Sequence, residues 1–133
     1  MNYYLDTDTC IFGLRNQFPA IKKQLQSAIP DHIKIPSIVH AELLLGVLKS
    51  DKPKQNAHLV EKFLEPYEVV PFNTPAAIAY AKIRYDLEKD GKSIGPNDLI
   101  IAATVAANQG TLVTHNINEF SRVPGLLVED WTV

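Results

Sequence analysis

Asp6 closes the apolar run Tyr3-Tyr4-Leu5, and a second carboxylate, Asp8, follows two residues later. In an open α/β sheet, chemistry gathers just beyond the carboxyl ends of the strands. Asp6 is therefore placed to be a metal ligand or an acceptor nucleophile. Three further acids stand in comparable positions. Glu42 is embedded in Ile38-Val39-His40-Ala41-Glu42-Leu43-Leu44-Leu45-Gly46, and Asp98 begins the apolar stretch Asn97-Asp98-Leu99-Ile100-Ile101-Ala102-Ala103. Glu119 follows Thr111-Leu112-Val113-Thr114 after the intervening His115-Asn116-Ile117-Asn118.

Taken singly, each acid has a plain explanation. Asp6 or Asp8 can cap the helix that follows, and Asp98 in a first helical turn complements the helix dipole. Glu119 reads as a surface acid, and Glu42 as a polar gap in an apolar face. Against that, a carboxylate buried in so apolar a helix as that of Glu42 needs a cation or hydrogen-bond donors. Taken together, the acids can converge at one edge of a sheet. Two unit charges about 4 Å apart cost roughly 4 kcal/mol at an effective dielectric of about 20. Such a group demands a cation, and an all-oxygen donor set selects Mg²⁺, with Mn²⁺ as substitute, over Zn²⁺. A site of this kind hydrolyses phosphodiesters without a histidine base. The hydroxyls of Thr7 or Thr114 are candidates to orient water or phosphate. His115 is either a general base or simply an exposed histidine.

Elements able to position these acids alternate along the chain. Tyr3 to Asp6 reads as a strand, and Asp8 or Thr9 as the cap of a helix reaching about Asn16. Phe18, Ile21, Leu25 and Ile29 recur at helical spacing. His32 to Pro36 forms a strand, and Ser37 caps a helix through Lys49, in which Gly46 suggests a closely approaching backbone. A charged turn over Asp51 to Gln55 precedes a helix carrying Val60 and Leu64. Tyr67 to Phe72 is a strand, Thr74-Pro75 opens a helix to about Lys89, and Gly95-Pro96 opens the apolar helix closed by Gly110. Thr111 to Thr114 is a fourth strand, Asn118 to Phe120 a helical turn, and Leu126 to Val128 a last strand. Strands separated by helical crossovers imply a parallel sheet between helical layers, while strand order stays open.

With 133 residues, 46% of them hydrophobic and 21% charged, the chain is expected to be a single globular domain spanning 1–133. The lone Cys10 cannot form an internal disulfide, and four dispersed histidines give no zinc spacing. The first residues lack a secretion-signal pattern, and no stretch would span a membrane, so a cytoplasmic location is expected. The net charge of −2 looks unsuited to nucleic acid. If Asp6, Asp8, Glu42, Asp98 and Glu119 share one site, however, ten other acids face thirteen Lys and Arg. The remainder is then mildly basic, which permits a phosphodiester substrate held by metal.

Leu5-Asp6-Thr7 near the start, Ala41-Glu42-Leu43 with Gly46, Asn97-Asp98 before an apolar helix with Ala102, and Val113-Thr114 before Asn116 and Phe120 together resemble the PIN-domain nucleases. The ending Val123-Pro124-Gly125-Leu126 with Glu129-Asp130-Trp131 resembles the VapC toxins of bacterial toxin–antitoxin pairs. The resemblance spans the whole chain. It implies a PIN-like three-layer α/β/α fold with a central parallel sheet and Mg²⁺-dependent endoribonuclease activity directed at structured RNA such as tRNA. It also implies a homodimer, and a VapB-like antitoxin whose C-terminal segment occupies the active groove. Asp6, Glu42 and Asp98 match the family's three core acids. Relatives carry Asp where this chain has Asn116, and Glu119 supplies a carboxylate three residues on. Position 8 is commonly Asn, so Asp8 is expected to support or cap.

Two other readings compete. Asp6-Thr7-Asp8-Thr9 fits the start of haloacid-dehalogenase-like phosphatases, with Asp6 as nucleophile, but Thr114-His115-Asn116 lacks the acidic pair those enzymes need. A non-enzyme reading is a phospho-receiver or a catalytically inactive PIN-like binding module. The receiver would want adjacent acids and a late Lys that are missing.

Overall fold

The computed structural model describes residues Met1–Val133. The chain runs β1 (Tyr3–Leu5), α1 (Thr7–Leu14), α2 (Pro19–Ser27), a 3₁₀ turn (Pro30–His32), β2 (Ile33–Pro36), α3 (Ser37–Lys49) and α4 (Pro53–Leu64). It continues through β3 (Glu68–Val70), α5 (Thr74–Lys89), α6 (Pro96–Ala107), β4 (Thr111–Val113), α7 (Ile117–Phe120) and β5 (Leu127–Glu129). The five strands make one sheet in the order β3-β2-β1-β4-β5, and every pairing is parallel. This is the three-layer α/β/α arrangement expected from the sequence.

Topology places the site. From β1 the chain steps outward to β2 and then to β3 at one edge. It next crosses back through α5 and α6 to β4, on the other side of β1. Strand order therefore reverses between β1 and β4, and a crevice forms at such a point beyond the strand ends. Leu5, Ile33, Ile35, Leu112 and Val113 are wholly buried in the strands, and α6 contributes Ile101, Ala102, Ala103 and Val105 to the same core. Thr104, also buried, is satisfied by donating to the Ile100 carbonyl at 2.8 Å. No helix is long and apolar enough to cross a membrane.

Several local expectations need correction. Of the candidate caps of α1, Asp6 is the one that serves, its carboxylate accepting from the Thr9 N–H, and Asp8 and Thr9 do not. Pro36, with no capping side chain, occupies the position expected for Ser37, which is already helical. At α5 the cap is Asn73, accepting from the Ala76 N–H, so Thr74 lies inside the helix. At α3 and α5 the extended residue just before the expected cap takes its place, its carbonyl already beginning the helix. Helix α2 stops at Ser27, and Ile29 is exposed, since Pro30 disfavours a helical residue before it. Helix α4 already starts at Pro53, a first-turn position where a missing N–H is tolerated. The last strand is Leu127–Glu129, one residue later than expected.

Two glycines also differ from expectation. A Cβ at Gly46 would meet nothing within 4 Å, so no backbone approaches there. At the end of α6 it is Gln109 that takes the left-handed conformation, with φ 54°. Gly110 serves another purpose: a side chain there would be driven into the Tyr4 ring.

Candidate active site

Asp6 leaves β1 with its N–H donated to the Val113 carbonyl of β4 at 3.1 Å. That bond ties the carboxylate to the point where strand order reverses. One oxygen accepts from the Thr9 N–H at 2.9 Å, and the Thr9 hydroxyl donates to the same Val113 carbonyl at 3.2 Å. The carboxylate that caps α1 also lines the acid cavity. Asp6 is only 6% exposed. Burial pushes its carboxyl above the usual range, and the Thr114 and Thr9 side chains pull it partly back.

Glu42 arrives from α3, half-buried. Both of its oxygens are held. The Thr7 hydroxyl donates to one, and the Asn97 side-chain amide donates to the other at 3.2 Å. A carboxylate in an apolar helix has thus found donors on α1 and α6.

Asp98 lies in the first turn of α6 and shares a hydrogen bond with Glu119. Its carboxyl is pushed up to about 7, first by burial, then by that bond and by the charges of Glu119, Glu42 and Asp6. Glu119 moves down, chiefly because Asp98 donates to it. Gly95 N–H and the Asn116 side-chain amide also donate to Glu119, at 3.1 and 2.7 Å. Asn116 in turn gives its backbone N–H to the Thr114 hydroxyl at 2.9 Å.

These groups surround a cavity of about 180 Å³ lined by Asp6, Thr7, Asp8, Glu42, Asp98, Ile101, Asn116 and Phe120. Of the residues expected at the site, Asp6, Glu42, Asp98, Thr7, Asp8 and Asn116 face it. Asp8 is exposed at its rim. Glu119 is not a lining residue and stands behind Asp98, while Thr114 braces Asp6 and Asn116. Larger hollows, such as one of about 560 Å³ between α5 and the loop before β5, bring no such acids together.

The donor set suits a hard cation. None of the five carboxylates is in a salt bridge with Lys or Arg. Burial and crowding instead push Asp98 toward its neutral form, with Glu119 lowered beside it. As they stand, no three of the acids close round one point. A divalent cation in the cavity would be held by Asp6, Glu42 and Asp98. Two contributors escaped the sequence reading as holders of the acids. Asn97 was visible as the neighbour of Asp98, whereas the Gly95 N–H carries no side-chain signal.

The chain matches the PIN domain family over residues 3–126. It is 39% identical over 132 residues to Ribonuclease VapC2 of Rickettsia felis, covering 98% of each chain. The chain belongs to the VapC family of PIN-domain ribonucleases. The tRNA(fMet)-specific endonuclease VapC of Salmonella typhimurium is 37% identical over 131 residues, again with 98% of each chain covered. The crystal structure of DNA-bound VapBC from Salmonella typhimurium superposes with a TM-score of 0.94 at 37% identity, covering 98% of both chains. VapC membership bears out the resemblance read from the motifs. It also sets aside the phosphatase reading of Asp6-Thr7-Asp8-Thr9.

Proposed function

We propose that the protein is a Mg²⁺-dependent endoribonuclease, with Mn²⁺ as a possible substitute, and the toxin of a type II toxin–antitoxin pair. Its substrate is tRNA or another structured RNA, whose cleavage stops translation and growth in the cytoplasm. One observation carries this reading above others. Asp6, Glu42 and Asp98 come from three different elements to one small cavity at the reversal of strand order. The names of the Salmonella and Rickettsia relatives, a tRNA endonuclease and a ribonuclease, support the substrate class.

When bound, a divalent cation supplies the positive charge that activates water and offsets charge on the phosphodiester. The chain's own residues do the positioning. Asp6 is immobilised by its capping bond and by the Val113 carbonyl contacts. Thr7 and Asn97 fix both oxygens of Glu42. Glu119, anchored by Gly95 and Asn116, stands against Asp98 and accepts its hydrogen bond.

A VapB-like antitoxin is the natural inhibitor, and the VapBC complexes among similar structures support it. An Arg or Lys from its tail would pair with the clustered carboxylates and displace metal. Leu44, Leu45 and Leu48 on α3 and Ile78 and Tyr85 on α5 are exposed. These apolar residues are the surfaces offered for a second copy, as a homodimer, and for the antitoxin.

The decisive experiment is expression in a bacterial host of the unaltered chain, Asp6→Ala and Asp98→Ala. Growth should stop only with the first, and purified protein should cut RNA with Mg²⁺ but not with EDTA. Equal growth in all three cultures, with the protein present, would overturn the toxin reading. No cleavage at all would leave a binding module.

A further inference from the structure

Next in sequence or one helical turn from residues that line or brace the acid cavity stands an aromatic group that the acid chemistry does not use. His115 sits between Thr114, which braces Asp6, and Asn116, which lines the cavity. Phe12 stands one helical turn beyond Asp8, another lining residue, on the same face of α1. Phe18, immediately before α2, completes the group. The Phe12 and Phe18 rings meet edge to face with centroids 4.7 Å apart, and the imidazole centroid is 6.3 Å from each.

The imidazole is also held from its far side. Its Nδ1 lies 3.0 Å from an Asp130 carboxylate oxygen and 3.3 Å from the Thr132 hydroxyl. Even so, 58% of the side chain is exposed. Here the ring is fixed on two sides and open on the third. Proteins stack unpaired bases on histidine and phenylalanine presented in this way.

We propose that Phe12, Phe18 and His115 form a stacking subsite for an unpaired base of the RNA, next to the phosphodiester held at the acid cavity. The inference rests on the ribonuclease reading above. It answers a difficulty of that reading, because an acidic cavity repels the RNA backbone everywhere except at the cation. Stacking attracts a nucleotide without using charge, and it tolerates any base because every base has a flat face. Only a base outside a duplex can reach the open side of the imidazole. The subsite therefore directs cleavage to loops and single-stranded junctions of structured RNA, with Asp130 as the positioning residue that keeps the ring upright.

The test is steady-state cleavage of an RNA hairpin, with 2-aminopurine next to the cut in its loop, by the unaltered chain, His115→Ala, Phe18→Leu and His115→Phe. All are first matched for thermal melting. His115→Ala should raise KM roughly tenfold with kcat nearly unchanged, and should lose the fluorescence quenching that accompanies stacking. Phe18→Leu should raise KM less. His115→Phe keeps a flat ring and should retain both KM and quenching. An unchanged KM in His115→Ala, while the unaltered chain cleaves, would overturn the subsite and leave the ribonuclease reading intact. If His115→Phe were as impaired as His115→Ala, a polar role would replace stacking. No cleavage by the unaltered chain would remove both.

Discussion

Asp98 and Glu119, on α6 and α7, share a hydrogen bond that divides their proton affinities in opposite directions. Asp98 rises to about 7 from an ordinary value of 3.8, and Glu119 falls below 4.5. Burial and the neighbouring acids thus favour the neutral form of Asp98 where it stands against Glu119.

This relationship makes the stability of the metal-free protein depend on pH. Between the unfolded and folded values of Asp98, the native state binds the extra proton. Its contribution is complete at acid pH and is lost as pH rises through about 7. Buried Asp6, also raised, acts in the same direction. Lowered Glu119 acts oppositely, but only as pH falls through its own acid range. With EDTA present, the melting temperature should fall between about pH 5 and about pH 8, and Asp98→Asn should flatten that fall. Equal slopes in the two proteins would assign the proton elsewhere.

The clamp on Glu42 gives a second expectation. Thr7 and Asn97 each donate one hydrogen bond to its carboxylate, and a bond to a charged group contributes about 1.5–3 kcal/mol. Thr7→Val should therefore lower kcat by roughly tenfold or more. Asn97→Ala, whose bond is longer, should lower it less. Both should leave melting nearly unchanged, since the clamp positions a carboxylate and does not fill the core. Measuring kcat separately from KM distinguishes misplacement of Glu42 from weaker RNA binding.

The contact of Gly110 with Tyr4 is a matter of packing alone. A methyl group at Gly110 would collide with the Tyr4 ring, and overpacking of this kind costs about 1–3 kcal/mol. Gly110→Ala should lower the melting temperature by several degrees, roughly 4–8 °C per kcal/mol in a smaller domain and less here. In a Tyr4→Ala background the same change should cost much less, because the ring is gone.

The difference between what the chain reveals and what only the fold shows follows from these cases. Asp6, Glu42 and Asp98 were legible because each breaks an apolar pattern, and apolar strands between helical spacings implied the parallel sheet. The reversal of order between β1 and β4 was not legible, because it rests on contacts between residues more than a hundred positions apart, such as Thr9 with Val113. Caps were misread by a residue at Pro36 and Asn73, and Asp8 and Thr9 were offered beside Asp6. The hydroxyls of Thr9, Ser37 and Thr74 look like good caps, yet position is decided by where the strand lets go. That correction is itself testable: Asn73→Ala should destabilise α5 by about 1 kcal/mol, and Thr74→Ala by much less.

Asp6 offers the sharpest separation of structure from chemistry. It caps α1 through one oxygen and faces the acid cavity. Asparagine caps a helix as well as aspartate does, so Asp6→Asn keeps the bond to the Thr9 N–H while removing the charge. The buried side chain is already pushed toward its neutral form, so the neutral substitute should hold or slightly raise the melting temperature. Cleavage of RNA, by contrast, should fall by several orders of magnitude, because the neutral amide offers a divalent cation no charge to hold it. Asp6→Ala loses both functions and should melt about 1 kcal/mol less stably as well as being inactive. Retained cleavage in Asp6→Asn would reduce Asp6 to a cap and shift the cation to Glu42 and Asp98.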